Sequence, residues 1–121
     1  MNLFYLASPY SKYPAGRERA FIEACFNAGL LIGAGVPVYS PIAHSHPIAR
    51  YSGLDPLDHA IWMPADEPMM RASQGLIVLK LESWEKSYGI GVEIATFQLA
   101  ERPIFYMEPG FVPDKLQRSA A

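Results

Sequence analysis

Leu3-Phe-Tyr-Leu-Ala7 is an almost continuous apolar run stopped by Ser8-Pro9, the pattern of a strand buried on both faces. After a polar stretch from Tyr10 to Gly16, residues Phe21, Ala24, Cys25, Ala28, Leu31 and Ile32 recur at helical spacing, with Arg19, Glu23 and Asn27 between them. Gly33 and Gly35 close that helix. Val36 to Ser40 predicts a second strand, leading into Pro41-Ile-Ala-His-Ser-His-Pro47, where two prolines exclude a regular ladder and a loop is expected. Residues 48–56 show no period and extend the expected loop. Leu57 to Ala72 is helical in pattern, with Pro64 and Pro68 expected to break or restart it near Asp66.

Gly75 to Leu81 is the most β-prone run and is expected at the centre of a sheet. The loop Glu82 to Tyr88 precedes a helix from about Gly89 to Glu101, with Val92, Ile94, Ala95, Leu99 and Ala100 as its expected buried positions. Arg102-Pro103 ends it, Ile104 to Met107 reads as the last strand, and residues 110–121 read as a tail with at most one helical turn. Strands alternating with helices predict one α/β domain over residues 1–121. It would be a doubly wound, mostly parallel, flavodoxin- or Rossmann-like sheet of about four to five strands, with helices on both faces. Ligands in such domains sit beyond the carboxyl ends of the strands, here Ser8 to Tyr13, Pro41 to His46 and Glu82 to Glu93.

Composition narrows the function classes. The 121 residues are 50% hydrophobic and 18% charged, ordinary for a single globular domain. A chain of this size buries roughly two-thirds of its unfolded surface, enough for a core without disulfides or a structural metal. The one cysteine, Cys25, excludes an intrachain disulfide, and its place on the apolar stripe predicts a core thiol. Ten basic and twelve acidic residues leave a net charge of -2, which gives no electrostatic drive toward a nucleic-acid polymer or an anionic membrane. No apolar run approaches the roughly 18 residues of a membrane span, and the amino terminus lacks a signal-peptide pattern, so a cytoplasmic location is expected.

Candidate chemistry gathers after the central strand, in Ser83-Trp-Glu-Lys-Ser-Tyr-Gly-Ile-Gly-Val-Glu93. Ser87 can cap the following helix, and the free N–H groups near Gly89 and Gly91 favour an anion such as phosphate. A capped helix with glycines for close packing accounts for the same residues. The segment is neither a Walker loop nor a dinucleotide fingerprint. Glu93, among apolar neighbours early in that helix, is either a surface carboxylate in the helix dipole or a nucleophile at the sheet edge. Asp66 is either a helix cap or the second carboxylate that acetal chemistry requires, where one group meets the anomeric carbon and another handles a proton. His44 and His46, with Asp58 and His59, raise a metal site, but their spacing is not that of zinc, and no metal or other cofactor is expected. Trp62, Trp84 and Tyr39 can stack on a nucleobase or belong to the core.

Tyr5-Leu-Ala-Ser-Pro-Tyr, Gly16-Arg-Glu, Asp66 one helix before the central strand, and Ser87-Tyr-Gly-Ile-Gly-Val-Glu-Ile form an ordered pattern. From about Met1 to Met107 the chain resembles the nucleoside 2-deoxyribosyltransferase-like superfamily, and within it the small uncharacterised bacterial and phage domains of the DUF1937 type. The resemblance implies that Glu93 is the glutamate that captures the sugar, that Asp66 assists the leaving base or orients the sugar, and that Tyr5 hydrogen-bonds the carboxylate or sugar. Ser87 stands where transferases carry an aspartate and nucleoside 5′-monophosphate hydrolases a serine. A hydroxyl and the Gly89 amide can donate to a phosphate that a carboxylate would repel. By the same resemblance Ser8, Lys12 and Arg17 lie in or near the opposite phosphate loop, and His44 falls near a base-contacting histidine. Gln74 stands where many members place an aspartate.

The resemblance therefore implies a nucleoside 5′-monophosphate N-glycosidase. A base-exchanging nucleoside 2-deoxyribosyltransferase is the second expectation, and a nucleotide-binding sensor without turnover the third. The expected partner is a small nucleoside or nucleoside 5′-monophosphate, with a homodimer or homotetramer completing the site.

Overall fold

The computed structural model describes residues 3–117. Strands β1 (Phe4–Ala7), β2 (Val38–Tyr39), β3 (Gly75–Leu79) and β4 (Ile104–Met107) form one all-parallel sheet in the order β2-β1-β3-β4. Tyr5 sits between Tyr39 and Leu76 in register, and Leu79 opposite Met107. The helices are α1 (Arg17–Gly33), α2 (Pro41–Ser52), α3 (His59–Ala72) and α4 (Tyr88–Leu99).

Successive strand side chains point to opposite faces, and the interior strands β1 and β3 are buried on both. Phe4, Leu6, Ile77, Leu79 and Met107 pack with Ala28 and Leu31 of α1 and with Leu116 near the carboxyl end. Tyr5, Ala7, Leu76 and Val78 pack with Met70 of α3 and with Ile90 and Phe97 of α4. The sheet is thus doubly wound, as its alternating pattern predicts. Among the described residues no helix is long and apolar enough to cross a membrane.

Four local expectations are corrected. The segment expected as a loop from Pro41 through residues 48–56 is helical as far as Ser52. Pro41 stands at the first helical position, where a missing N–H costs nothing, and the Ser40 hydroxyl accepts from the Ala43 amide at 3.1 Å. Its buried stripe is Pro41, Ser45 and Ala49, helically spaced but too polar and small to read as a period, and Gly53 ends it at φ +79°. Secondly, α3 runs unbroken through Pro64 and Pro68. Both prolines are exposed, so the carbonyls of Ala60 and Pro64 that lose their partners lie on the water side. Its carboxyl end is held by Arg102, whose Nη1 donates to the carbonyls of Met70, Arg71 and Ser73 at 2.8–3.0 Å.

The third correction concerns α1. Cys25 is exposed, not a core thiol, and Ile32 is 59% exposed. The buried stripe is Ala20, Ala24, Asn27, Ala28 and Leu31. Asn27 is admitted because its amide is satisfied: Nδ2 donates to the Glu23 carbonyl at 2.9 Å, and Oδ1 accepts from the Gly110 amide at 2.8 Å. Lastly, α4 buries Ile90 and Phe97, leaves Val92 and Ile94 half-buried, and exposes Ala95, Leu99 and Ala100. With apolar residues around most of its circumference, its sequence does not single out one inward face.

Gly75 opens β3 where the backbone is crowded: a Cβ there would meet Phe4 Cε1 and the Pro103 carbonyl oxygen, both at 3.0 Å. The carbonyl cannot swing away without breaking its bond from the Leu76 amide. Gly75→Ala is therefore expected to lower stability by about 1–3 kcal/mol. The measurement is a urea midpoint shift at unchanged m-value.

Candidate active site

The chain leaves β1 toward α1 on one face and β3 toward α4 on the other, so a crevice opens between their carboxyl ends. Tyr5 projects toward the α3–α4 side, its ring centroid 5.7 Å from Tyr39 and 6.1 Å from Phe97. Its Oη and the Ser8 Oγ are buried side-chain oxygens with no hydrogen-bond partner among the described residues. Leaving such groups unsatisfied costs about 1–3 kcal/mol each, and of the two residues it is Tyr5 that lines a cleft with Glu93 and Asp66.

Ser87 caps α4, accepting from the Ile90 amide at 3.2 Å, which leaves its own proton free to donate. Gly89 and Gly91 are not there for packing. A Cβ on Gly91 would meet nothing within 4 Å, and one on Gly89 only the Ser87 Oγ at 3.9 Å. The bare backbone leaves the start of the helix open to close approach. Glu93 lies in the second turn of α4, and Asp66 projects from mid-α3, so it is not a helix cap. That cap is Asp58, whose Oδ1 accepts from the Ala60 amide at 3.0 Å.

Glu93, Asp66, Tyr5, Ser87, Gly89 and Trp62 line one cleft of about 120 Å³. Glu93 keeps partial exposure as a residue, but its carboxyl is enclosed and its pKa is pushed up to about 8. Burial is the main cause. The adjacent Tyr5 hydroxyl opposes it, although the two do not reach hydrogen-bond geometry, and the Asp66 charge adds to it. Asp66 is also raised by burial, countered by the Tyr39 hydroxyl, which donates to Oδ1 at 3.5 Å, and by His44. Tyr5 is raised far above the ordinary phenol range by burial and then by the charges of Glu93 and Asp66, so it stays a neutral donor. At neutral pH Glu93 therefore favours its protonated form.

The remaining candidates are spread around this cleft. Trp62 is on its wall, with Nε1 donating to the Asp55 carbonyl at 2.8 Å. His44 is exposed on α2, 5.7 Å from the Tyr39 ring, and acts on Asp66 through its charge. Lys12 is exposed, and its carbonyl accepts from the Ser83 hydroxyl at 2.9 Å. Arg17 lines a neighbouring cavity of about 380 Å³ instead. That cavity is larger, but the paired carboxyls and the unpartnered Tyr5 hydroxyl make the smaller cleft the candidate active site. Trp84 packs on the Tyr106 ring at 5.7 Å against the core. Tyr10, on the wall of both cavities, and the His59–Tyr88 ring pair at 5.0 Å carried no signal in the chain's periodicity. Among the described residues no three His, Cys, Asp or Glu side chains gather to hold a metal.

A family model described as a domain of unknown function, DUF1937, matches residues 2–109, and the chain belongs to that family. Comparison with curated proteins returns no match.

Glu93 also links the site to stability. Its folded pKa of about 8 lies above the ordinary 4.5, so its contribution is fully present below pH 4.5 and is lost as pH rises through 8. Glu93→Gln removes that dependence. The variant is expected to gain on the wild type by up to a few kcal/mol between pH 5 and 9, read as diverging melting temperatures.

Proposed function

For this member of the DUF1937 family we propose hydrolysis of the bond between a nucleobase and the (deoxy)ribose of a nucleoside 5′-monophosphate. The observation that carries the reading is the meeting of Glu93 and Asp66 across one cleft, beside an unpartnered buried phenol at the sheet's carboxyl edge. The resemblance to nucleoside 2-deoxyribosyltransferase-like proteins supports the same assignment.

In this reading the two carboxyls share one proton in the working form, with the Glu93 pKa raised to about 8 by burial. Passing that proton from Glu93 to Asp66, through solvent or substrate, readies both groups. As the C1′–N bond breaks, its electron pair leaves with the base, and Asp66 supplies the proton the base takes up. A Glu93 oxygen bonds C1′, and the Tyr5 hydroxyl stabilises the carboxylate or a sugar oxygen. Water then attacks C1′ and releases Glu93, its proton returning to the carboxyl pair. The Ser87 hydroxyl and the amides at the start of α4 hold the 5′-phosphate. No cofactor is needed. A second base in place of water would make the reaction base exchange. By the same resemblance we propose a homodimer or homotetramer, in the cytoplasm, whose neighbouring subunit completes the cleft.

The test incubates the protein with nucleosides and nucleoside monophosphates, with and without an added free base, and follows base release by chromatography. Release from monophosphates alone supports hydrolysis. Exchange only with an acceptor base makes the protein a transferase, and binding without release makes it a sensor. Glu93→Ala is expected to abolish turnover with the fold intact, and an unchanged rate removes Glu93 from the mechanism. Because the working form carries one proton on the pair, kcat/KM is expected to fall above about pH 8, where Glu93 loses its proton. A rate that keeps rising beyond that pH excludes the shared-proton step.

A further inference from the structure

The larger cavity, about 380 Å³, lies on the other side of Tyr10 and Pro56 from the Glu93 cleft, and these two residues form part of both walls. Its other walls come from the start of α1, with Arg17 and Glu18, and from α2, with His46, Ala49 and Arg50.

Its polar groups are linked in a chain. His46 Nε2 is 3.0 Å from the Glu18 carboxylate, a partner that only accepts, so Nε2 carries the proton and donates. In the neutral ring Nδ1 then accepts, and the Tyr10 hydroxyl, 2.6 Å away, donates to it. Phe21 stacks on the His46 ring at 4.5 Å and fixes its plane. Arg50 Nη1 donates to the same Glu18 oxygen at 3.2 Å. The hydrogen bond from His46, and after it the Arg50 charge, lower the Glu18 carboxyl from its ordinary value. Arg17 makes no ion pair among the described residues, and its charge acts on the Tyr10 hydroxyl. Two guanidinium groups against one carboxylate leave the cavity with a net positive charge. Unused N–H donors remain on both arginines, the side chain best suited to a planar or tetrahedral oxyanion.

We infer that this cavity is a second ligand subsite, which takes an oxyanion through Arg17 and Arg50. The Tyr10–His46–Glu18–Arg50 chain holds the Arg50 fork in place and fixes the ring of Tyr10 as the partition between the two cavities. A ligand occupying both would carry an anionic group, phosphoryl or carboxylate, beyond the part that reaches Glu93. That extension rests on the proposed reaction, whereas the oxyanion subsite does not.

The test uses the full chain and inorganic pyrophosphate, followed by amide chemical shifts, so its outcome is independent of turnover. Saturable shifts at Tyr10, Glu18, Ala49 and Arg50 are expected. Arg17→Gln and Arg50→Gln should each weaken binding by about tenfold, the worth of one charge-assisted hydrogen bond, while Glu93→Gln leaves it unchanged. Malonate in parallel separates the sources: binding of pyrophosphate alone assigns a phosphoryl group, and equal binding of both assigns any paired oxyanion. Shifts confined to residues 87–91 and indifferent to either arginine variant overturn the inference. So does the absence of saturable shifts in a wild-type protein whose spectrum shows it folded.

Discussion

Two carboxyl groups in one enclosed cleft cannot both hold a full charge, because each loses water and each opposes the other. Here that constraint falls on Glu93 and Asp66, both of whose pKa values burial raises, that of Glu93 to about 8. The surrounding residues fit it. Tyr39 and His44 favour charge on Asp66, and Tyr5 remains a neutral phenol beside Glu93. An acidic pair divided in this way is what proton-coupled chemistry at an acetal carbon needs, and it disfavours any role in which both groups act as simple anionic ligands.

The scaffold makes this arrangement possible at modest cost. Glu93 rides on α4 and Asp66 on α3, and both helices are anchored to the same face of the sheet through Met70, Ile90 and Phe97. Arg102, just ahead of β4, donates to the carbonyls of Met70 and Arg71 in the last turn of α3 and of Ser73 at its cap. Helix α4 packs on the sheet, while α3 is attached near its carboxyl end through buried Met70 and Arg102, and a site on helices is held more closely than one on loops. The flexible chemistry is left to the loop ends, where Ser83 ties the loop after β3 to the Lys12 carbonyl in the loop after β1. Tyr10 adds a further link, since one residue lines both the Glu93 cleft and the arginine-lined cavity beside it.

Much of this was legible in the order of residues. The apolar run Leu3–Ala7 and the β-prone run Gly75–Leu81 announce interior strands, and strands interleaved with helical periods predict parallel crossovers. A serine before two glycines and a glutamate marks the start of a helix with open amides. Less legible were the elements whose signal is not hydrophobic. The stripe of α2 is proline, serine and alanine, and Asn27 on α1 is buried because distant Gly110 satisfies it. Around α4 apolar residues lie on most sides, so period alone could not choose its inward face.

The sequence by itself determined the alternation of strands and helices and the carboxyl edge at which doubly wound domains place their ligands. Local periodicity and side-chain type are enough for those, since each depends on neighbours a few residues away, whereas resemblance singles out Glu93 and Asp66 as a pair. Only the tertiary structure decided that Asp66 and Glu93 line one cleft and that Arg17 lines the adjoining cavity instead. It also decided that Cys25 looks outward. Those outcomes depend on which face each helix turns to the sheet and on the desolvation that follows, quantities set by contacts between residues far apart in the chain.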